Sequence, residues 1–462
     1  MKTCVNKLFA LPFLVIALNL FLCRLVTAQT CTDLHIFNST DGAYPYAGLI
    51  LSGHILYGTA SGYGSSSQGM IFRVNTDGSN FTNLYKFSMT TTKSATNSDG
   101  AYPYAGLILS GNTLYGTTEA GGSFGHGTVF SINTDGHSFT NLHSFSALVS
   151  GINRDGARPY SGLLLAGKTL YGTTYYGGSS GAGTVFAVNT NGTDFTNLHN
   201  FYIYGANPEA GLVLSSNTLY GTTYNESVYG DGTVFKVNTD GSDFTNLHLF
   251  DASSENGFSP KAGLVLSGGT LYGTTELSVG SLRKGTVFKI NTDGSRFTNL
   301  YTFSGSDGAN PAAGVIVLGG TLFGTTAFGG NSDCGTVFAV NTDGSGFTNI
   351  YNFGGSGGAN PEAGLVALGS TLFGTTASGV GDSTYGTVFA LSLVPSLGIA
   401  VSSNQVILSW PTWAPNYGLQ CTTNIIPPIV WSAVLPQPII VNGQNTVTNP
   451  LTGEQMFYRL SQ

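Results

Sequence analysis

The chain has 462 residues, of which 41% are hydrophobic, 12% aromatic and only 8% charged, with 66 glycines. That aromatic content excludes a disordered chain, and so much glycine beside so few charges points to a turn-rich all-β protein. Without the basic residues of the N-terminal segment discussed next, 13 basic residues face 23 acidic ones, a net of −10 that repels phosphate backbones and excludes nucleic acid as a natural partner.

Residues 1–28 read as an export signal. Lys2 and Lys7 supply the positive start, Leu8 to Cys23 the apolar run, and Val26-Thr27-Ala28 a small-residue cleavage site. Asn19 and Arg24 shorten the apolar run below a comfortable bilayer span, so membrane contact is expected only through export. Cys31, Cys334 and Cys421 remain after cleavage, too few and too scattered for a disulfide framework or a metal site.

Beyond the signal the chain repeats itself. The aromatic of "LYGT" or "LFGT" recurs at Tyr57, Tyr115, Tyr171, Tyr220, Tyr272, Phe323 and Phe373. Each unit reads as four strands. "AGLVL" is an unbroken apolar run, expected as the innermost strand buried on both faces. "TLYGTT" follows, then a variable Gly-rich loop, "GTVFKVN", an Asp-Gly turn and an outer strand "FTNLHLF". Asp-Gly between two such runs predicts a two-residue type I′ hairpin. Asn191 replaces the aspartate in one copy, which such a turn tolerates.

"FTNL" or "FTNI" occurs only six times, and the seventh unit breaks off at "GTVFALSLVPS". The orphaned strand stands at the other end as "CTDLHIF", Cys31 to Phe37. Sharing one sheet between the two ends latches a ring and leaves few exposed edges. The expected fold is thus all-β: a seven-bladed β-propeller over residues 29–393, of kelch-like blade length and closed by the N-terminal outer strand. Residues 394–462 lose the repeat and read as a small β-sandwich with Trp410 and Trp431 in its core.

The unit "P.AGLVLSG.TLYGTT..GG....GTVF.VNTDG..FTNL..F" resembles the Gloeobacter and Verrucomicrobia tandem repeat (GloVer), and the resemblance covers nearly all of the propeller region. It implies an exported bacterial protein, secreted or bound to the cell surface, and carries over no catalytic residue. The tail is similar to fibronectin-like modules of secreted bacterial proteins.

Catalytic signatures do not emerge. "GGSFG", "GGSSG" and "GGSGG" fit Gly-x-Ser-x-Gly around Ser123, Ser179 and Ser356, but no helix follows to make a nucleophile elbow. His35, His143, His199 and His248 share a slot that holds Tyr85, Tyr301 and Tyr351 in other copies, which suits an amphipathic surface position and excludes a metal ligand. Calcium on the inter-blade aspartates Asp41, Asp99, Asp155 and Asp307 is disfavoured, because Gly205, Asn256 and Gly357 replace them elsewhere. No cofactor is expected.

Variation concentrates in the loops after "YGTT", and loops on a rigid scaffold are where binding specificity resides. The candidate ligand-binding rim comprises Glu119, Phe124, Tyr176, Glu226, Tyr229, Asp231, Glu276, Phe328, Asp333, Asp382 and Tyr385. Two functions fit. One is a recognition or scaffold protein whose rim binds an extracellular glycan, peptide or surface polymer while the tail docks it to the envelope. The alternative is a polysaccharide-acting hydrolase or lyase using rim carboxylates such as Glu226 and Asp231.

Overall fold

The computed structural model describes residues 29–38, 40–62, 68–91, 95–149, 153–202, 206–224, 232–251, 256–278, 284–354, 357–379, 385–395, 397–414, 417–441, 444–451 and 455–461. The export signal therefore lies outside the described residues, as do Glu226, Tyr229, Asp231 and Asp382 of the rim. All regular structure among the described residues is β.

Strand β1 (Cys31–Ile36) comes first, then the antiparallel meander β2 (Ile50–Ser52), β3 (Ile55–Ala60), β4 (Met70–Asn75) and β5 (Thr82–Lys86). Five further copies of this four-stranded sheet follow in order. The last repeat supplies only Val366–Leu368, Thr371–Thr376 and Thr387–Ser392, and β1 completes its sheet. The pairing is antiparallel, with Thr32 opposite Ala390 and Ile36 opposite Thr387. The chain is thus all-β and made of propeller-like four-stranded repeats, with the split unit where the sequence placed it.

Neighbouring sheets meet through three recurrent contacts. Apolar clusters fill the spaces between them, as where Leu219, Phe235 and Val237 pack on Tyr171 and Val185; another joins Leu56 and Phe72 of the first unit to Phe373 and Val388 of the last. The first threonine of each "GTT" donates its hydroxyl to a buried carbonyl of the next unit, Thr59 to Ala105 and Thr222 to Ala262, each at 3.0 Å. Thr375, in the last unit, donates to Pro45 and Ala47 of the first at 2.8 and 3.2 Å. The "AGL" glycines, finally, touch backbone to backbone. A Cβ on Gly211 would lie 3.3 Å from the Gly162 carbonyl oxygen, and one on Gly48 would lie 3.3 Å from that of Gly364.

That last contact corrects one expectation. "AGLVL" is strand only over its last two residues, in a strand that runs Val213–Ser215 in the fourth copy and is half-buried; Ala210 and Leu212 are the buried ones. Side-chain-free backbones converge at the glycine instead of extending the ladder. The Asp-Gly turn is corrected too. Gly78 N–H donates to Asn75 O and Asn75 N–H to Ser79 O, both at 2.9 Å, and Gly78 is left-handed at φ 84° whereas Asp77 is not. This is a type I turn closed by a left-handed glycine, the three-residue hairpin rather than type I′. Asp77 Oδ1 accepts from Ser79 N–H at 2.9 Å, and Asn191 Oδ1 accepts from Thr193 N–H at 3.1 Å, so Asp and Asn exchange freely.

The His/Tyr slot is not a plain surface position either. Six of the seven rings lie flat on the "FTN" phenylalanine of the next unit, as His199 on Phe244 at 3.5 Å, His248 on Phe297 at 3.7 Å and Tyr301 on Phe347 at 3.6 Å, whereas Tyr351 meets Cys31 of β1 instead. The inter-blade aspartates cap these rings. Tyr85 and Tyr301 donate to Asp99 and Asp307 at 2.9 and 2.6 Å, and His143 Nε2 lies 3.0 Å from Asp155. His248 has an asparagine, Asn256, at the capping position, and burial lowers both His199 and His248 to a pKa of about 4.

The tail forms one sheet of Gly398–Ser402, Gln405–Pro411, Gln444–Pro450 and Ile439–Val441, and another of Ser432–Ala433, Gly418–Thr422 and Phe457–Ser461. They share a core around Leu408, Trp410, Leu419 and Val447. Trp410 is buried as expected. Trp431 is not a core residue: it is half-buried beneath the Arg459 guanidinium, 4.3 Å above its ring, and Gln420 holds that guanidinium at 2.8 and 2.9 Å. Trp413 ties the tail to the repeats by packing on Phe323, beside the hydrogen bond from Thr412 Oγ1 to the Gly319 carbonyl.

Candidate functional site on the loop face

The inter-unit loops and the loops after "GTT" meet on one face, and an unusual backbone holds them. The residue before each inter-unit proline is left-handed although none is glycine: Tyr44, Tyr102, Arg158, Asn207, Ser259, Asn310 and Asn360 have φ between 52° and 60°. Such strain, on the order of 1–3 kcal/mol per residue, persists only where the surroundings over-determine it. Here they do. Tyr102 N–H donates to Gln68 O at 2.6 Å, while Tyr102 O accepts from Glu119 N–H at 3.0 Å; Arg158 repeats the arrangement with His126 and Tyr175 at 3.0 and 3.1 Å.

This device fixes the residue between the proline and the next buried Ala or Ser. That inner row is Tyr46, Tyr104, Tyr160, Glu209, Lys261, Ala312 and Glu362, all half-buried. Ring centroids of Tyr46 and Tyr104 lie 5.4 Å apart, those of Tyr104 and Tyr160 5.7 Å, and Tyr175 adds an edge contact to Tyr160 at 5.4 Å. The remainder of the row is charged apart from Ala312. Lys261 Nζ lies 4.0 Å from Glu209 Oε1. Burial opposes its charge, but Glu209, Glu276 and Glu362 together outweigh that and raise its pKa above the ordinary lysine value. Glu362 also titrates high, chiefly through burial; Lys261 pulls it down and Glu276 pushes it up.

Outside the row, a cleft of about 470 Å³ opens between the second and third sheets, lined by His126, Leu148, Asn153, Arg158, Tyr176 and Ser179 among others. The Arg158 guanidinium sits 5.6 Å from the centre of the Tyr176 ring, a cation–π contact, and 3.4 Å from Glu119. Glu119 accepts the Tyr160 hydroxyl at 2.7 Å, joining the cleft to the row. Burial, reinforced by the Glu119 carboxylate, pushes the Tyr160 phenol upward. Burial also lowers His126, against the pull of Asp155 and with help from Arg158.

Of the sequence-predicted rim, the structure brings Glu119 and Tyr176 together at this cleft and sets Glu276 beside Lys261 in the row. Phe124 and Phe328 stand exposed on separate loops. Asp333 is engaged in its own loop, accepting Gly329 N–H at 2.8 Å. Tyr385 packs into the core joining the last unit to the first, with its carbonyl accepting Tyr44 N–H at 2.8 Å. Sequence reasoning missed the inner row. Its signal is a freely varying position between a constant proline and a nearly constant alanine. Among the described residues no group of three or more His, Cys, Asp or Glu is placed to hold a metal.

A comparison with curated proteins finds no match. Among solved structures, an oligogalacturonate lyase from Vibrio parahaemolyticus is similar at 9% identity and a TM-score of 0.52, over 80% of this chain and 95% of that one. An oligogalacturonate lyase in complex with manganese aligns at 10% identity and 0.51, over 80% and 94%. PorZ, a bacterial surface component of the type-IX secretion system of Porphyromonas gingivalis, aligns at 11% identity and 0.50, over 90% of this chain and 58% of that one. Identities this low establish a common fold alone. The sequence itself is decisive: the Gloeobacter/Verrucomicrobia repeat matches residues 21–147, 88–281 and 225–403, and the chain belongs to that family.

Proposed function

We propose that this chain is an exported bacterial recognition protein: a closed seven-bladed β-propeller whose loop face binds a glycan, peptide or surface polymer. Closure is supported by the pairing of β1 with Thr387–Ser392, the Thr375 bonds to Pro45 and Ala47, and the approach of Gly48 to Gly364. Export rests on the signal-like residues 1–28, and a secreted or surface location follows from it.

One observation carries the binding reading. The partly exposed tyrosine row runs into the Arg158–Tyr176 cleft on a backbone held rigid by seven left-handed residues. Pre-organised aromatics beside hydrogen-bonding groups bind polar, ring-containing ligands with little ordering cost. The enzyme reading drew on Glu226 and Asp231, which lie outside the described residues.

Screening the full chain on glycan, peptide and cell-surface-polymer arrays tests the proposal. We expect saturable binding that weakens about tenfold or more in Tyr176→Ala and Arg158→Ala, about 1.4 kcal/mol of lost contact. Binding that persists unchanged when Tyr104, Arg158 and Tyr176 are all replaced by alanine would place the ligand elsewhere and refute it.

A further inference from the structure

We infer that the cleft between the second and third units is a site for an acidic sugar, in which Arg158 takes the anion, Tyr176 the C–H face of the ring and Asn153 a hydroxyl. The inference rests on the recognition reading above and adds the chemistry of the ligand.

Two departures from the repeat place these groups. Three units carry asparagine before the inter-unit proline, where the backbone is left-handed, and its amide pins the loop of the preceding unit. Asn207, Asn310 and Asn360 donate Nδ2 to the carbonyls of Tyr175, Glu276 and Ala327 at 2.9, 3.2 and 3.0 Å. After glycine, asparagine is among the residues that adopt this backbone most readily. Arg158 stands in the same slot at φ 55° and brings its guanidinium to the Tyr176 ring instead. Main-chain bonds between Ala157 and Tyr176, at 2.8 and 3.0 Å, fix that pair side by side.

The second departure leaves an acceptor unused. In the second unit Asn97 Oδ1 accepts from Gly100 N–H and Gly122 N–H at 2.9 and 2.8 Å. Its counterpart Asn153 gives its amide to the Ser146 carbonyl, and Gly178 N–H bonds the Asn153 main-chain carbonyl at 2.7 Å. Asn153 Oδ1 is therefore buried with no partner, in a residue only 3% exposed that forms part of the cleft wall. Such an acceptor is rare in folded proteins, and a donor brought by a ligand, directly or through one water, relieves it.

Burial then decides the sign of the cleft. Among the described residues that line it, Arg158 carries the one charge at neutral pH, since burial holds His126 below its ordinary value. Its counter-ion Glu119 is 14% exposed against 51% for Arg158 and already accepts the Tyr160 hydroxyl, so a ligand meets the cation first. A guanidinium has five N–H donors in a planar fork, more than one carboxylate at 3.4 Å can occupy. Tyr176 stays exposed beside it, and at about 470 Å³ the cleft is of small-ligand size. Free sulfate brings Asn153 no donor, and the carboxylate of an acidic peptide brings Tyr176 no flat C–H face. An acidic sugar, uronate or sulfated, supplies anion, hydroxyl and face within one ring.

The test is titration calorimetry on the full chain at about pH 7, where carboxylates are ionised. The probes are hexamers of glucuronate, galacturonate and mannuronate, each beside its methyl ester, a sulfated galactose hexamer beside the unsulfated one, hexaglutamate and inorganic sulfate. We expect at least one acidic hexamer to bind at least tenfold more tightly than its neutral counterpart, and whether it is a uronate or the sulfated sugar identifies the anion. Arg158→Asn, the residue three other units carry in that slot, should erase the preference, and Arg158→Lys should retain part of it. Tyr176→Ala should weaken acidic and neutral hexamers by a similar factor and leave their ratio alone. On the unsubstituted chain the preference should also shrink at about 1 M salt, where charges are screened within about 3 Å.

Equal binding within every acidic and neutral pair, a preference that survives Arg158→Asn or high salt, or hexaglutamate or sulfate binding as tightly as the best acidic hexamer would each overturn the inference. If the arrays instead yield a neutral glycan or a peptide whose binding Arg158→Ala and Tyr176→Ala weaken, the acidic-sugar site is refuted and the recognition reading stands.

Discussion

Replacing Thr375 by valine tests whether the two ends of the chain meet in solution. The Thr375 hydroxyl is buried and donates to Pro45 and Ala47 carbonyls at 2.8 and 3.2 Å across the seam between last and first units. Valine keeps the volume, so no cavity term enters, and the change removes only the donor. A net hydrogen bond is worth about 0.5–1.5 kcal/mol, and carbonyls left buried without it raise the cost toward about 1–3 kcal/mol. Thr222→Val provides the internal standard, since Thr222 donates to Ala262 at 3.0 Å at an interior seam. Urea unfolding of both variants, at unchanged slope, should give losses of about 1–3 kcal/mol that agree within about 0.5 kcal/mol. A full-sized loss in Thr222→Val beside a wild-type midpoint in Thr375→Val would mean the seam is open, and the ring with it.

Two other outcomes follow from the packing. Gly221→Ala should destabilise by about 1–3 kcal/mol, because its Cβ would lie 2.6 Å from the Phe235 ring and 2.8 Å from Leu212 inside a close-packed core; an unchanged melting temperature would refute that packing. His199 and His248 titrate at about 4 in the folded chain, below the ordinary histidine value of 6.5. The unfolded chain therefore binds more protons between those values, and stability should fall as pH drops from about 6.5 toward 4. His199→Tyr with His248→Tyr should flatten that part of the stability–pH curve, and an equally steep curve in the double variant would assign the acid sensitivity to other groups.

The repeat was legible because each unit buries the same residues in the same order, so the copies align and the displaced strand Cys31 to Phe37 stands out. What escaped was set by neighbours about fifty residues away. The His/Tyr slot looks like a polar edge until Phe244 or Phe297 of the following unit is laid against it. "AGLVL" looks like a full strand until the glycine is seen against the preceding unit's carbonyl. Trp431 looks like core because nothing in the sequence places Arg459 over it. The inner row hid for the opposite reason: Tyr46, Glu209, Lys261 and Ala312 share a position but no chemistry, and only the loop geometry reveals that they stand side by side. Glu119, Tyr176 and Glu276 could be singled out as candidates because they lie in the loops that vary most in length and composition.

The placement of β1 also orders events in time. It comes first in chain order among the described strands, yet its partner Thr387–Ser392 is nearly the last part of the repeat array to be synthesised. Until then both β1 and the outer edge awaiting it are unpaired ribbons, the usual templates for wrong association. Asp33 and His35 on β1 supply the polar and chargeable groups that discourage such pairing. The sheet that β1 completes can therefore form only after every other repeat has been made, so the two ends of the array stay unjoined for most of synthesis.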